Sequence, residues 1–166
     1  MNKMLATAAF ALFAFAAQAQ SPSTQEFVIK AAVSDMFEIE SSKLAQQQAD
    51  AKSKEFAAKM IKDHTETSTE LKSLVASGKV KATVPAAMDS AHQSKLDKLK
   101  GLKGTEFDRE YDEMQRAAHK EGVSLFEQYS KSGDNAELKA FASKHLPHLK
   151  EHQKMAEDLK TQTTQR

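Results

Sequence analysis

Between Glu106 and Ser132 the chain reads EFDREYDEMQRAAHKEGVSLFEQYSKS, without a proline and with one glycine. Phe107, Tyr111, Ala118, Gly122, Leu125 and Tyr129 recur at helical steps, with Gln115, His119 and Phe126 beside them. Gly101 and Gly104 precede the stretch, Thr105 is placed to cap it, and Gly133 follows. A helix this long with an apolar stripe along one side must bury that stripe against other helices. The segment alone therefore predicts an all-α bundle.

Reading outward confirms the pattern on both sides. Downstream, Asp134 and Glu137 have capping-box spacing and open a further helix to about Lys160. Its apolar row is Phe141, His145, His148, His152, Met155 and Leu159, with Pro147 inside it. Upstream, Ser23 and Glu26 form another capping-box pair, and a first helix runs to about Gln48 along Phe27, Ala31, Ser34, Glu38, Ser41 and Ala45. After a break at ADAKS, a second helix spans about Ser53 to Ala76 along Phe56, Met60, His64, Thr67, Leu71 and Leu74, and Gly78 stops it. KVKATVP reads as an extended link, with Pro85 helping to start a short helix over roughly Met88 to Lys100. The joints at ADAKS and KSGDN are short and favour antiparallel neighbours. The link from Gly78 to Gly104 is long enough to cross the bundle lengthwise. The expected fold is a ferritin-like four-helix bundle with a long crossover, containing a short helix, between the second and third long helices.

The N-terminus belongs to a different class of segment. Lys3 precedes an apolar run from Met4 to Ala17, and Ala17–Ala19 (AQA) supplies small residues around a cut after Ala19. The run is shorter than the roughly 20 residues a spanning helix needs. Residues 1–19 therefore read as a signal peptide and 20–166 as a single bundle domain with its core over about 23–160. The protein is expected to be exported to the periplasm, with no membrane span after cleavage. The full chain has 24 basic and 23 acidic residues and no cysteine. Removing Lys3 leaves the mature chain balanced, so nothing resembles a basic stripe for nucleic acid, and there is no disulfide framework. A protein partner or a homo-oligomer is compatible with such a surface, and neither is specified by it.

Each long helix carries one metal-binding residue type on or beside its inward row: Glu38, His64, His119 and His152. At about 1.5 Å per residue, Glu38 and His64 lie at one level relative to their shared turn. The same count from His119 lands on His148, with His152 one turn beyond. Three imidazoles and a carboxylate would suit a transition metal ion such as Fe, Mn, Zn or Cu. Pro147 removes a backbone donor and frees the carbonyl of Ser143, which could re-aim the histidines around it. Asp63 or Tyr111 would serve as an outer partner to the ligands. The di-iron carboxylate signature is absent, because Ile61 and Leu149 stand where its Glu-x-x-His pairs need an acid. The methionines Met36, Met60, Met114 and Met155 are spaced for core packing. No nucleophile elbow or glycine-rich phosphate loop is present, so no catalytic residue is assigned. The competing reading is that the Glu/His cluster only fixes helix register.

Four stretches, FEIESSKLA, AAKMIKDHT, GTEFDREYDEMQRAAHKE and LKAFASKHLPHLKEH, together resemble successive motifs of a bacterial exported family, domain-of-unknown-function family 4142. The resemblance spans roughly Glu26 to Leu159. It implies a four-helix bundle of the ferritin-like group, often periplasmic and sometimes labelled an outer-membrane protein. The motif positions it implies are Glu38, Asp63, His64, Phe107, Asp108, Tyr111, His119, Pro147 and His152. It favours His152 over His148 and supplies no reaction. Two functions stay open: metal or redox handling under envelope stress, and a non-enzymatic structural or stress-interaction role.

Overall fold

The computed structural model describes residues 21–163, so the segment read as a signal peptide lies outside the described residues. Five helices follow in order: α1 (Thr24–Gln48), α2 (Ala51–Ala76), α3 (Ser90–Lys100), α4 (Gly104–Ser132) and α5 (Ala136–Thr163). There is no strand among the described residues. The four long helices form two hairpins, α1 with α2 and α4 with α5, and α3 lies on the crossover between them. None of the described helices is long and apolar enough to cross a membrane.

Local chemistry sets the boundaries. Ser23 caps α1 reciprocally with Glu26, whose carboxylate accepts from the Ser23 backbone N–H at 2.9 Å. Only Ala49 and Asp50, both extended, separate α1 from α2, and the Asp50 side chain accepts from Ser53 N–H at 2.9 Å. A joint that short can only fold the second helix back along the first. Gly78 follows α2 with φ +75°, a left-handed turn that glycine adopts without penalty. Val80 anchors the crossover at the end of the bundle it leaves, and Leu99 buries itself at the opposite end. Between them Gln25 clamps the chain, donating to the Thr83 carbonyl at 2.9 Å and accepting its N–H at 2.8 Å.

Several sequence expectations shift by a residue or two. Asp89 rather than the Pro85 region starts α3, by accepting from His92 N–H at 2.8 Å. Thr105 does not cap α4: Lys103 occupies that place and makes no side-chain cap bond. Asp134 is not the cap of α5 either. Asn135 accepts from Leu138 N–H at 3.0 Å, while Asp134 takes hydrogen bonds from Tyr129 at 2.8 Å and Thr24 at 2.6 Å. That knot ties the start of α1 to the α4–α5 joint. Gly133 is required there, since a Cβ would collide with the Tyr129 ring.

The core has two apolar ends and a polar middle. At one end Phe27, Leu71, Phe126, Tyr129, Leu138 and Phe141 interlock, with Phe27 stacked on Tyr129 at 4.2 Å between ring centres. At the other, Phe56, Met60, Leu99, Phe107, Tyr111 and Leu159 do the same. Each fully buried side chain of this size contributes roughly 1.5–3 kcal/mol, so the two ends hold the frame. Between them the buried polar residues include Asp35, Glu38, His64, Gln115, His119 and His152.

Candidate metal centre

Four helices each supply part of the polar middle. On α1 the buried row is Val28, Ala31, Asp35, Glu38, Ser42 and Ala45, alternating steps of three and four. His64 continues the row of Phe56 and Met60 on α2. On α4, Gln115 and His119 turn inward while Ala118, Gly122 and Leu125 are only half-buried, so the expected stripe is displaced by one position at mid-helix. On α5 the inward row is Phe141, His145, Leu149, His152, Ala156 and Leu159. Leu149 takes the place expected of His148, which is exposed. The count from the turn predicts His148 opposite His119, but that face turns outward and His152, one turn beyond, is the residue that meets His119. The helix runs unbroken through Pro147, whose ring lies on the exposed side.

His64, His119 and His152 meet. One nitrogen from each ring lies within 4.8 Å of one in each of the others. The ring centroids form a nearly equilateral triangle with sides of 5.6, 5.5 and 5.4 Å. Each ring has one nitrogen committed outward. His64 Nδ1 pairs with Asp35 Oδ1 at 2.8 Å, His119 Nδ1 donates to the Gln115 carbonyl at 2.8 Å, and His152 Nε2 pairs with Asp63 Oδ2 at 2.8 Å. The remaining nitrogens, His64 Nε2, His119 Nε2 and His152 Nδ1, are buried with no hydrogen-bond partner. A carbonyl only accepts, so Nδ1 of His119 carries its proton and Nε2 presents a lone pair.

Electrostatics keep two of the rings neutral. Burial, reinforced by the positive potential of His64, drives His119 down to about 3. Burial and His64 likewise lower His152 to about 4, against the pull of Asp63. His64 is opposed by burial too, but the hydrogen bond and charge of Asp35 raise it above the ordinary imidazole range. Burial raises the Asp35 carboxyl in return. Asp63, also bridged by Lys59 at 3.0 Å, stays below the usual carboxylate range despite partial burial.

The other sequence candidates fall outside this trio. Glu38 is 1% exposed and both its oxygens lack partners, but it is not among the groups whose ligand atoms converge. Burial lifts it to about 7. Of the two expected outer partners, Asp63 reaches His152, whereas Tyr111 shares a hydrogen bond with Ser42 at 2.9 Å. Asp35 went unnoticed in the sequence. It lies four residues after Ala31 and three before Glu38, and the row through Val28 and Ser42 would have found it. His145 is buried but fully engaged elsewhere, with Glu70 at 2.9 Å and Thr67 at 3.4 Å.

A triangle of these dimensions has its centre roughly 3.2 Å from each ring centroid. A metal–nitrogen bond of about 2.0–2.1 Å, extended to the middle of an imidazole, covers about the same distance. The donor set is all nitrogen, with carboxylates and a carbonyl holding the far side of each ring, the usual outer support of metal-binding histidines.

The sequence profile of a family described as "Domain of unknown function (DUF4142)" matches residues 11–159. The chain belongs to this family. No curated protein matches it by sequence. Among solved structures, CopM in the Cu(II)-bound form is similar, with a TM-score of 0.69 at 19% identity, covering 84% of this DUF4142 chain and 96% of that one. Likeness at that identity speaks to the shared bundle and not to the site.

Proposed function

We propose that this chain is an exported copper-binding protein that holds one Cu(II) ion on His64 Nε2, His119 Nε2 and His152 Nδ1. The observation that carries the reading is the set of three bare, buried imidazole nitrogens facing one another. A buried polar atom without a partner costs about 1–3 kcal/mol. A cluster serving only to fix helix register would gain nothing by leaving three such atoms together, whereas a cation satisfies all three at once. Nitrogen donors without sulfur suit late divalent ions, among which affinity peaks at Cu(II). The similar bundle solved in a Cu(II)-bound form shows that a fold of this shape can carry that ion. The hydrophobic N-terminal run and the AQA site support export, and with it a task in metal handling in the envelope, including under stress. When bound, the ion would supply a Lewis-acid and redox-capable centre in a dry interior.

Elemental analysis of untagged protein purified from the periplasm, followed by competitive Cu(II) and Zn(II) titration, tests this. One ion per chain, with Cu(II) bound more tightly than Zn(II), is expected. Absence of any stoichiometric uptake by wild-type protein would leave the register-fixing role as the better account.

A further inference from the structure

Two depressions reach the histidine trio, and they differ. A narrow recess of about 50 Å³ between α2 and α5 touches His64 and His152. A much larger cleft, about 1740 Å³, runs between α1 and α4 and is lined at depth by Asp35, Glu38, His64 and His119. On its α4 wall Ala118 and Gly122 are half-buried, and a Cβ at Gly122 would meet nothing within 4 Å. The trio is therefore screened on the α5 side and approached from the α1–α4 side.

The floor of the cleft is short of hydrogen-bond donors. Both oxygens of Glu38, Asp35 Oδ2 and Gln115 Oε1 are buried without partners. The amide nitrogen of Gln115 donates to Ser41 Oγ at 3.2 Å and its second hydrogen lies toward Glu38, which it stabilises as the carboxylate, so the amide oxygen is the free end. A cation on the imidazoles would satisfy the nitrogens but none of these oxygens, which need hydrogens.

Building on the copper reading, we infer that the three-histidine centre keeps a coordination position open toward the α1–α4 cleft for a small protic ligand, of the class of water or hydrogen peroxide, whose hydrogens Glu38 and Gln115 accept. Glu38 is then a positioning residue for that ligand rather than a metal ligand, which accounts for its burial beside the trio and its absence from the converging group. Three protein ligands and one open position is also the arrangement that lets a bound ion exchange small molecules.

The test uses the full mature chain loaded with Cu(II) and sodium azide as probe, read by visible absorption and electron paramagnetic resonance. Wild-type protein is expected to give a saturable azide-dependent spectrum. Glu38→Gln, which keeps the volume, removes the negative charge and adds an N–H donor, is expected to bind azide at least about tenfold more tightly while still taking up one Cu(II) per chain. A wild-type copper spectrum indifferent to azide would mean a closed centre and overturn the inference without help from the variant. Loss of stoichiometric copper uptake in Glu38→Gln would make Glu38 a ligand, and equal azide affinities would remove it from the open position; either overturns the inference while leaving the wild-type copper site standing. Failure of wild-type protein to take up copper overturns both.

Discussion

His145 and His152 lie two turns apart on α5, both buried and both paired with a carboxylate on α2, yet they stand in opposite situations. His145 uses Nε2 on Glu70 and Nδ1 on Thr67, with its ring 4.6 Å from that of Phe141. His152 uses Nε2 on Asp63 and leaves Nδ1 bare toward His64 and His119. Burial and a carboxylate partner are thus common to a structural histidine and to a candidate ligand. What separates them is a second nitrogen with nothing to bind, in the company of others like it.

The comparison breaks most visibly when one imidazole is removed from each group. His119→Gln or His152→Gln is expected to weaken Cu(II) binding beyond the roughly 10–100-fold that an outer partner is worth. His145→Gln should leave it unchanged. Competition titration against a chelator reads both, and equal losses in the two groups would erase the distinction. One layer further out, Asp35→Asn and Asp63→Asn should each cost about 10–100-fold in affinity, because those carboxylates orient the rings and raise their basicity. Glu70→Gln, which makes the same change beside His145, should cost nothing in copper binding.

How much of this was legible in the sequence follows from how each signal arises. The bundle and its crossover could be read because stop signals such as Gly78 and Gly133 and rows such as Phe56, Met60 and His64 repeat over many turns. Errors in single residues average out over such lengths. The polar middle depends on one residue per helix, where a shift of one position changes the face by about 100°. That is why Leu149 occupies the place assigned to His148, and why Asp35 was passed over beside Ser34. Pairings such as His64 with Asp35 lie across helices and depend on helix rotation, which periodicity does not specify.

In the metal-free protein the same contrast should appear in stability, at smaller scale and with inverted sign. His145→Leu removes two hydrogen bonds and should lower the unfolding free energy by about 1–2 kcal/mol. His119→Leu gives up the Nδ1 hydrogen bond to the Gln115 carbonyl but also removes a buried nitrogen that has no partner, so the two terms offset and the unfolding free energy should change by less than about 1 kcal/mol. Denaturant unfolding of the two apo variants compares them directly, and a larger loss for His119→Leu would mean that its inner nitrogen has a partner after all.

The pH dependence of the apo protein supplies the finest distinction, because neighbouring groups in the polar middle pull in opposite directions. His119 and His152 are held down to about 3 and about 4, so between those values and the ordinary imidazole range near 6.5 the unfolded chain binds protons that the folded one refuses. Their contribution is complete above that range and is lost as pH falls. Glu38, lifted to about 7 from 4.5, does the reverse: its contribution is complete below 4.5 and is lost as pH rises toward 7. Over pH 5–7 His119→Leu should therefore flatten the acid-side loss of Tm relative to wild type, and Glu38→Gln should steepen it. His145→Leu, which touches neither group, serves as the reference. Parallel Tm curves for His119→Leu and Glu38→Gln would show that the two groups do not titrate in opposite senses, and the polar middle would then lack the electrostatic division that leaves two imidazoles neutral and ready to bind.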